Sequence, residues 1–363
     1  MIECPKNYLT RGKDPKLMVA CAEMLRRTEE RNKTKDSRKN TSRKRGIFCY
    51  TIRMKRVGVI RGGDGKHYAS SLKKGGDIIL HIFENLSHKY KVVDILIDKK
   101  DVWHLNGVPV MPTDLMHKVD VVWNTAYPGA SLILENLSIP YIGAGSFSHA
   151  LENSRDMLRE HMAQIGVQMP RHILFPLYQK DFSAQGGSAS GGDGSISRYA
   201  IKKAKEVHEK FGGPWIVKSF TPDANMGIHL AKTFNELVAG IEDGAKHEKS
   251  ILVEEFISGK VASIHSVPDF RGEEIYIFPP VNVFGNFSFE EKEKLISLAK
   301  DLHHHLGIKH YLKSDFIFNP RGKILLLDFE FTPNLKPYSH FSQACESVGA
   351  KTHDVIEHIL ENV

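Results

Sequence analysis

Two strand-like runs near the end of the chain carry the side chains best suited to chemistry. Residues 311–318 (YLKSDFIF) and 323–331 (KILLLDFEF) flank Asn319-Pro320-Arg321-Gly322, a turn-forming sequence, so together they read as a hairpin. The second run is almost wholly apolar and is expected to be buried, yet it carries Asp328 and Glu330. Two residues apart on a strand, they share one face. A connection with an even number of residues brings Lys313 and Asp315 to that face; an odd one turns Asp315 away. Buried carboxylates are costly unless they are paired or hold a cation. Asp315, Asp328 and Glu330 are therefore candidate metal ligands, and a site with few protein ligands suits Mg²⁺ (or Mn²⁺) shared with a phosphate. The competing reading is a salt-bridge cluster.

Lys218 closes an apolar run, 214–218 (PWIVK), beside the loop 219–227 (SFTPDANMG), where a cation can neutralise phosphate charge. The Gly/Ser-rich stretch 185–197 lacks a Lys-Ser/Thr ending and a strand directly before it, so it reads as a surface insertion rather than a phosphate loop. Histidine side chains ordinarily change charge near neutral pH, so His67 is a candidate acid or base, although a solvated histidine is the plainer reading. His303-His304-His305 and His310 do not form a zinc spacing, because consecutive helical residues diverge and no nearby Cys or acid completes a set.

The elements that must position these groups fit a chain of 363 residues, long enough for two or three domains. No apolar run reaches membrane-spanning length. The N-terminus is polar where a signal peptide needs an apolar stretch, and Cys4, Cys21, Cys49 and Cys345 form no disulfide frame, so a reducing cytoplasm is expected. The net charge of +7 is unevenly spread: residues 1–56 hold 17 Lys/Arg against 6 Asp/Glu, a net of +11, leaving the body at −4. A basic run of this kind can contact nucleic acid phosphates, but its composition favours a disordered extension over 1–55, and Met54 is an alternative start.

Residues 57–60, 91–98 and 119–124 read as strands alternating with a helix over 70–86, which gives a parallel α/β layer to about residue 147. Helices are expected at 154–166, 198–211, 289–306 and 351–360, and strands at 214–218 and 250–257.

This order resembles the ATP-grasp superfamily and, within it, the D-alanine–D-alanine ligases, over about residues 56–363. The matching pieces are VGVIRGG (57–63), IPYIGAGSFSHALENSRDMLRE (139–160), WIVKS (215–219) with NMG (225–227), ILVEEFISG (251–259), LKSDFIFN (312–319) and KILLLDFEFTPN (323–334). The resemblance implies an α/β (α+β) ATP-grasp fold of three domains: a Rossmann-like parallel sheet over 56–147, a central domain over 148–257 and a metal-bearing domain over 258–363. It also implies ATP and Mg²⁺ as cofactors, a small amino-acid substrate, and two D-alanines joined through an acyl phosphate for peptidoglycan synthesis, with a homodimer as the family's expectation. It places Arg155 and Lys218 on phosphate, Asn225, Met226 and Gly227 in the loop covering it, and Glu254 at the adenine amino group. Phe256, Ile257 and Leu327 form the base's walls, and Asp315, Asp328 and Glu330 the metal site.

The departures cluster at the amino-acid end. His67 stands near the family's amine-holding glutamate, Ala224 replaces a serine, Lys313 an arginine, and Val261 an acid at the ribose; the stretches at 124–131 and 279–287 are shortened. An absent carboxylate for a substrate amine costs about 1.5–3 kcal/mol. Lys313 can still stabilise an oxyanion as a point charge. A ligase for another amino acid or small acid, and a nucleotide-binding protein without catalysis, are the alternatives.

Overall fold

The computed structural model describes residues 54–63, 68–176, 194–220, 226–247 and 250–363. The expectations for His67, Ala224, Asn225, the basic extension before residue 54 and residues 185–193 lie outside them. Residues 54–363 form one compact unit.

The first layer contains β1 (Lys55–Gly62), α1 (Tyr68–Asn85), β2 (Tyr90–Ile97), β3 (Trp103–Leu105), β4 (Val108–Val110), β5 (Val121–Asn124), α2 (Pro128–Asn136) and β6 (Tyr141–Ile142). Its sheet runs β4-β3-β2-β1-β5-β6, with β1, β2, β5 and β6 parallel. Val57, Val59 and Ile60 are fully buried, as a strand covered on both faces requires. The chain leaves β1 through Gly62 and Gly63 at φ +90° and +97°. A Cβ on Gly62 would stand 2.1 Å from the Ile97 carbonyl oxygen, so the tight exit toward α1 needs glycine.

Two helices follow, α3 (Ser146–Asn153) and α4 (Arg155–Gln164). The middle layer holds β7 (His172–Phe175), α5 (Gly194–Lys210), β8 (Trp215–Ser219), β9 (His229–Ala231), α6 (Phe234–Lys246) and β10 (Ile251–Glu255), in an antiparallel sheet β7-β10-β8-β9. Residues 194–197, read from sequence as part of a flexible insertion, instead open α5. Thr233 caps α6 by accepting from the Glu236 amide, and Glu236 returns the bond to the Lys232 and Thr233 amides.

The last layer comprises β11 (Lys260–Pro268), β12 (Ile275–Ile277), β13 (Val281–Phe284), α7 (Phe289–His305), β14 (Leu312–Phe318), β15 (Ile324–Glu330), α8 (His340–Ser347) and α9 (Thr352–Glu361). Its antiparallel sheet runs β12-β11-β14-β15, with β13 also on β11. The short β13 occupies part of the 279–287 stretch read from sequence as shortened.

The cores are distributed unequally. The middle layer has its own, around Val217, Ile241 and Val253. The first and last layers share one: Val59, Ile78 and Trp123 pack in the same cluster as Phe341, Val355 and Ile359. Leu158 and Met162 of α4 join the core under Phe316 and Leu326. No helix among the described residues is long and apolar enough to cross a membrane.

Candidate active site

The hairpin β14–β15 is real, and its connection is the odd one: five residues, 319–323, lie between the strands. Gly322 at φ +78° completes the turn, and the Asn319 amide donates to the Lys323 carbonyl. Regular pairing from Phe318↔Ile324 through Phe316↔Leu326 would set Asp315 opposite Leu327. The register shifts there, so that Asp315 faces Asp328 and Lys313 faces Glu330. Leu327 is the extra residue of a β-bulge. The bulge, not the turn, brings Lys313, Asp315, Asp328 and Glu330 to one face. The strand is not buried as expected at its acids: the Asp328 side chain is 61% exposed and that of Glu330 35%, because this face forms the wall of a cleft.

The cleft has a volume of about 380 Å³. Arg155, Lys218, Asp328 and Glu330 line it, as do Lys74 of α1 and Thr125 after β5. Each cation is set by its element. Trp215 and Val217 of β8 bury one face of the strand, so Lys218 emerges on the other. On the neighbouring β10, Glu254 lies diagonally across on the same face, because Lys218 pairs with Leu252 and Ile216 with Glu254. Ser154 caps α4 by accepting from the Met157 amide, which leaves Arg155 in the helix's first turn. A cation there opposes the helix dipole, so the site needs anions.

Those anions are present in two groups. Glu254 accepts from Arg155 at 2.6 Å and from Lys218 at 2.7 Å. Burial alone would raise its carboxyl; the charges of Arg155 and then Lys218 outweigh that and hold it below the usual range. Arg155 also donates to the Leu327 carbonyl at 2.5 Å and lies 3.8 Å from Asp328. In the second group Lys313 contacts Asp315 at 2.9 Å and Glu330 at 3.3 Å, and Lys74 reaches Glu330 at 3.4 Å. Burial would lower the Lys313 ammonium, but Glu330 and Asp315 raise it. Burial pushes up the Glu330 carboxyl, and Lys74 and Lys313 reverse that to a net fall. Asp328 goes the other way: confinement among protein atoms raises it, with Arg155 and Lys218 only partly compensating, although the carboxylate is open to the narrow cleft.

The three expected metal ligands thus share a face, with Lys313 bonded to two of them. Among the described residues no three acids, histidines or cysteines stand close enough together to hold one ion. The donor set nevertheless suits a hard cation. Asp315 Oδ1 is buried without a hydrogen-bond partner, Asp328 stands opposite Asp315 in the register, and Asp315 and Glu330 lie beside two ammonium groups that an arriving cation would displace.

The other expected contacts divide. Phe256 is 37% exposed, and Ile257 and Leu327 are half-buried, so they are not ordinary core residues; none of the three lines the 380 Å³ cleft. Met226 is buried in the middle layer's core, and Gly227 is exposed. Lys74 was missed from sequence, as were Ser71 and Thr125. The signal for Ser71 and Lys74 lay in the α1 pattern, where they are three apart and so adjacent on the helix.

No family model matches the chain. A D-alanine–D-alanine ligase of Geotalea uraniireducens is 22% identical over 329 residues, covering 85% of this chain and 96% of the relative. Among solved structures, a D-alanyl-alanine synthetase A of Vibrio cholerae superposes with a TM-score of 0.64 at 17% identity, covering 85% of this chain and 98% of the other. Over most of its length the chain is similar, at low identity, to D-alanine–D-alanine ligases. A D-alanine–D-alanine ligase of Bacillus anthracis complexed with ATP aligns at TM-score 0.59 and 16% identity over 85% of this chain and 96% of that one. The α/β architecture with three sheets is the ligase fold, with the cleft where its layers meet.

Proposed function

We propose that the chain is an ATP-dependent carboxylate–amine ligase of the D-alanine–D-alanine type, with domains dividing near residues 147 and 257. One observation carries the reading: Arg155, Lys218, Asp328 and Glu330, from three separate segments, line a single cleft. Together with Lys313, Glu254 and Asp315, which contact these lining residues from behind, and with Lys74, the site sets four cations against four carboxylates. A triphosphate therefore has to bring its own countercharge. Asp315, Asp328 and Glu330 would be the residues to hold a divalent ion, which would supply that countercharge.

The residues then divide the work. Arg155 and Lys218 exchange Glu254 for phosphate oxygens, and Glu254 is released toward the base. An oxygen of the substrate carboxylate attacks the γ-phosphorus; the bond to the β–γ bridging oxygen breaks, and its electron pair leaves with ADP. The neutral amine of the second substrate attacks the carbonyl carbon of the acyl phosphate. The carbon–oxygen bond to phosphate breaks, and the nitrogen's surplus proton leaves with the phosphate. Lys313 meets the oxyanion as a point charge, and the cleft contributes positioning. D-alanine is the first substrate to test, since it is the one the relative's name gives. That reading carries small-molecule substrates, a cytoplasmic setting and a homodimer with it, as the resemblance implies.

The test is phosphate release with ATP and Mg²⁺ across a panel of D- and L-amino acids. Release that depends on D-alanine, and is lost in Lys218→Ala, supports the reading. Tight ATP binding with no turnover on any acid refutes ligation.

A further inference from the structure

We propose that Lys74 is a catalytic residue of this site, binding the carboxylate of the acid being activated and the charge that builds on it during phosphoryl transfer. The inference rests on the ligase reading and assigns a role to a residue that reading leaves unused. Four observations carry it. Lys74 lies on the α1 wall, opposite the acids of β15, and lines the cleft together with Asp328 and Glu330. Its charge contact with Glu330, at 3.4 Å, is longer than the closest contacts of Arg155, Lys218 and Lys313, which are 2.6–2.9 Å. Its side chain is 39% exposed, the most open of the four. The polar groups beside it are already engaged: Ser71 Oγ accepts from the Gly62 amide at 2.9 Å, Thr125 Oγ1 donates to the Ile60 carbonyl at 2.8 Å, and the Asn124 side-chain amide donates to Ser131 Oγ at 2.8 Å.

The consequence follows from charge. A divalent ion at Glu330 cancels the attraction that now holds Lys74. The ammonium then faces the cleft with no carboxylate of the described wall beside it, and the anion that enters is the acid to be phosphorylated. Lys74 on one side and Lys313 on the other would bracket that carboxylate over the metal-bearing strand. The same ammonium opposes metal binding before the acid arrives, because it competes for Glu330.

The two effects have opposite signs, which makes the proposal testable. In Lys74→Met, kcat/KM for D-alanine should fall about 10²-fold, the scale of losing one oxyanion-stabilising donor, with KM for ATP unchanged. Mn²⁺ binding to the nucleotide-free protein, followed by electron paramagnetic resonance, should tighten severalfold. Lys74→Arg should recover most of the activity, and it serves as the folding control. A Lys74→Met protein with kcat/KM within about twofold of wild type, or with unchanged or weaker Mn²⁺ affinity, overturns the inference and leaves the ligase reading standing. Wild-type protein that releases no ADP with any acid overturns the ligase reading itself, whatever the Mn²⁺ result.

Discussion

Replacing Arg155 by methionine isolates the charge arrangement at the nucleotide end. Arg155 and Glu254 are 8% and 9% exposed and 2.6 Å apart, so the pair is screened little by solvent. Removing one partner of a buried pair costs about 3–5 kcal/mol when the other is stranded. Here Lys218 stays on Glu254 at 2.7 Å and is itself 28% exposed, so about 2 kcal/mol is the better figure. The lost bond to the Leu327 carbonyl adds about 1 kcal/mol. At this chain length about 2 °C of melting temperature corresponds to each kcal/mol. Arg155→Met should therefore melt about 6 °C lower, by calorimetry without nucleotide. Adding Glu254→Gln removes the stranded charge, so the double variant should be more stable than the sum of the single losses by at least about 1.5 kcal/mol. The pH dependence has a definite sign. The folded Glu254 carboxyl lies below its ordinary value of 4.5, so its contribution is complete above that pH and is lost as pH falls through the lower folded value. Additivity of the two substitutions within about 0.5 kcal/mol, or an unchanged melting temperature for Arg155→Met, would refute the reasoning.

Three buried histidines give an independent acid sensitivity. Burial pushes His265 to about 3 and His303 and His310 to about 4, from 6.5. Protonation then favours the unfolded chain, so stability should be complete above pH 6.5 and decline below it, by about 2 kcal/mol per histidine at pH 5; urea midpoints across roughly pH 4.5–7.5 measure the slope, and a flat profile contradicts it. Cys345 is buried, with its thiol pushed up to about 12. Peptide mapping after brief alkylation at pH 8 should find it unmodified in folded protein and labelled in urea. Lys313→Met should weaken folding and catalysis together, because Asp315 and Glu330 lose the ammonium between them, whereas Lys313→Arg should retain both; thermal melts and ADP release separate the two variants.

The sequence made the alternation visible and hid the exceptions to it. Short apolar runs bounded by turn residues located β1, β2, β8, β10, β14 and β15, and apolar residues at helical spacing located α1, α4 and α7, because burial is written directly into residue type. The short strands β3, β4, β12 and β13 were not legible: three or four residues are too few to show a period. The bulge at Leu327 was invisible for a different reason. Leucine there fits either face, and only the pairing of the neighbouring strand shows that one residue is extra. Lys218, Arg155 and Glu254 could be named from their segments, but their mutual pairing depends on how α4 meets β10, a contact between residues 99 apart. Lys74 went unread because a lysine on a surface helix looks like solubility until the opposite wall is known.

The shared core of the first and last layers has a mechanical consequence. Lys74 and Glu330 belong to two layers joined through one hydrophobic interior, so they should travel as a single rigid jaw. The middle layer, with a separate interior, is the piece free to hinge, and it carries Lys218 and Glu254. Nucleotide should thus change spin-label distances from α6 to α9 and leave those from α1 to α9 fixed. The gap between α1 and β15 would be the constant against which the cleft closes.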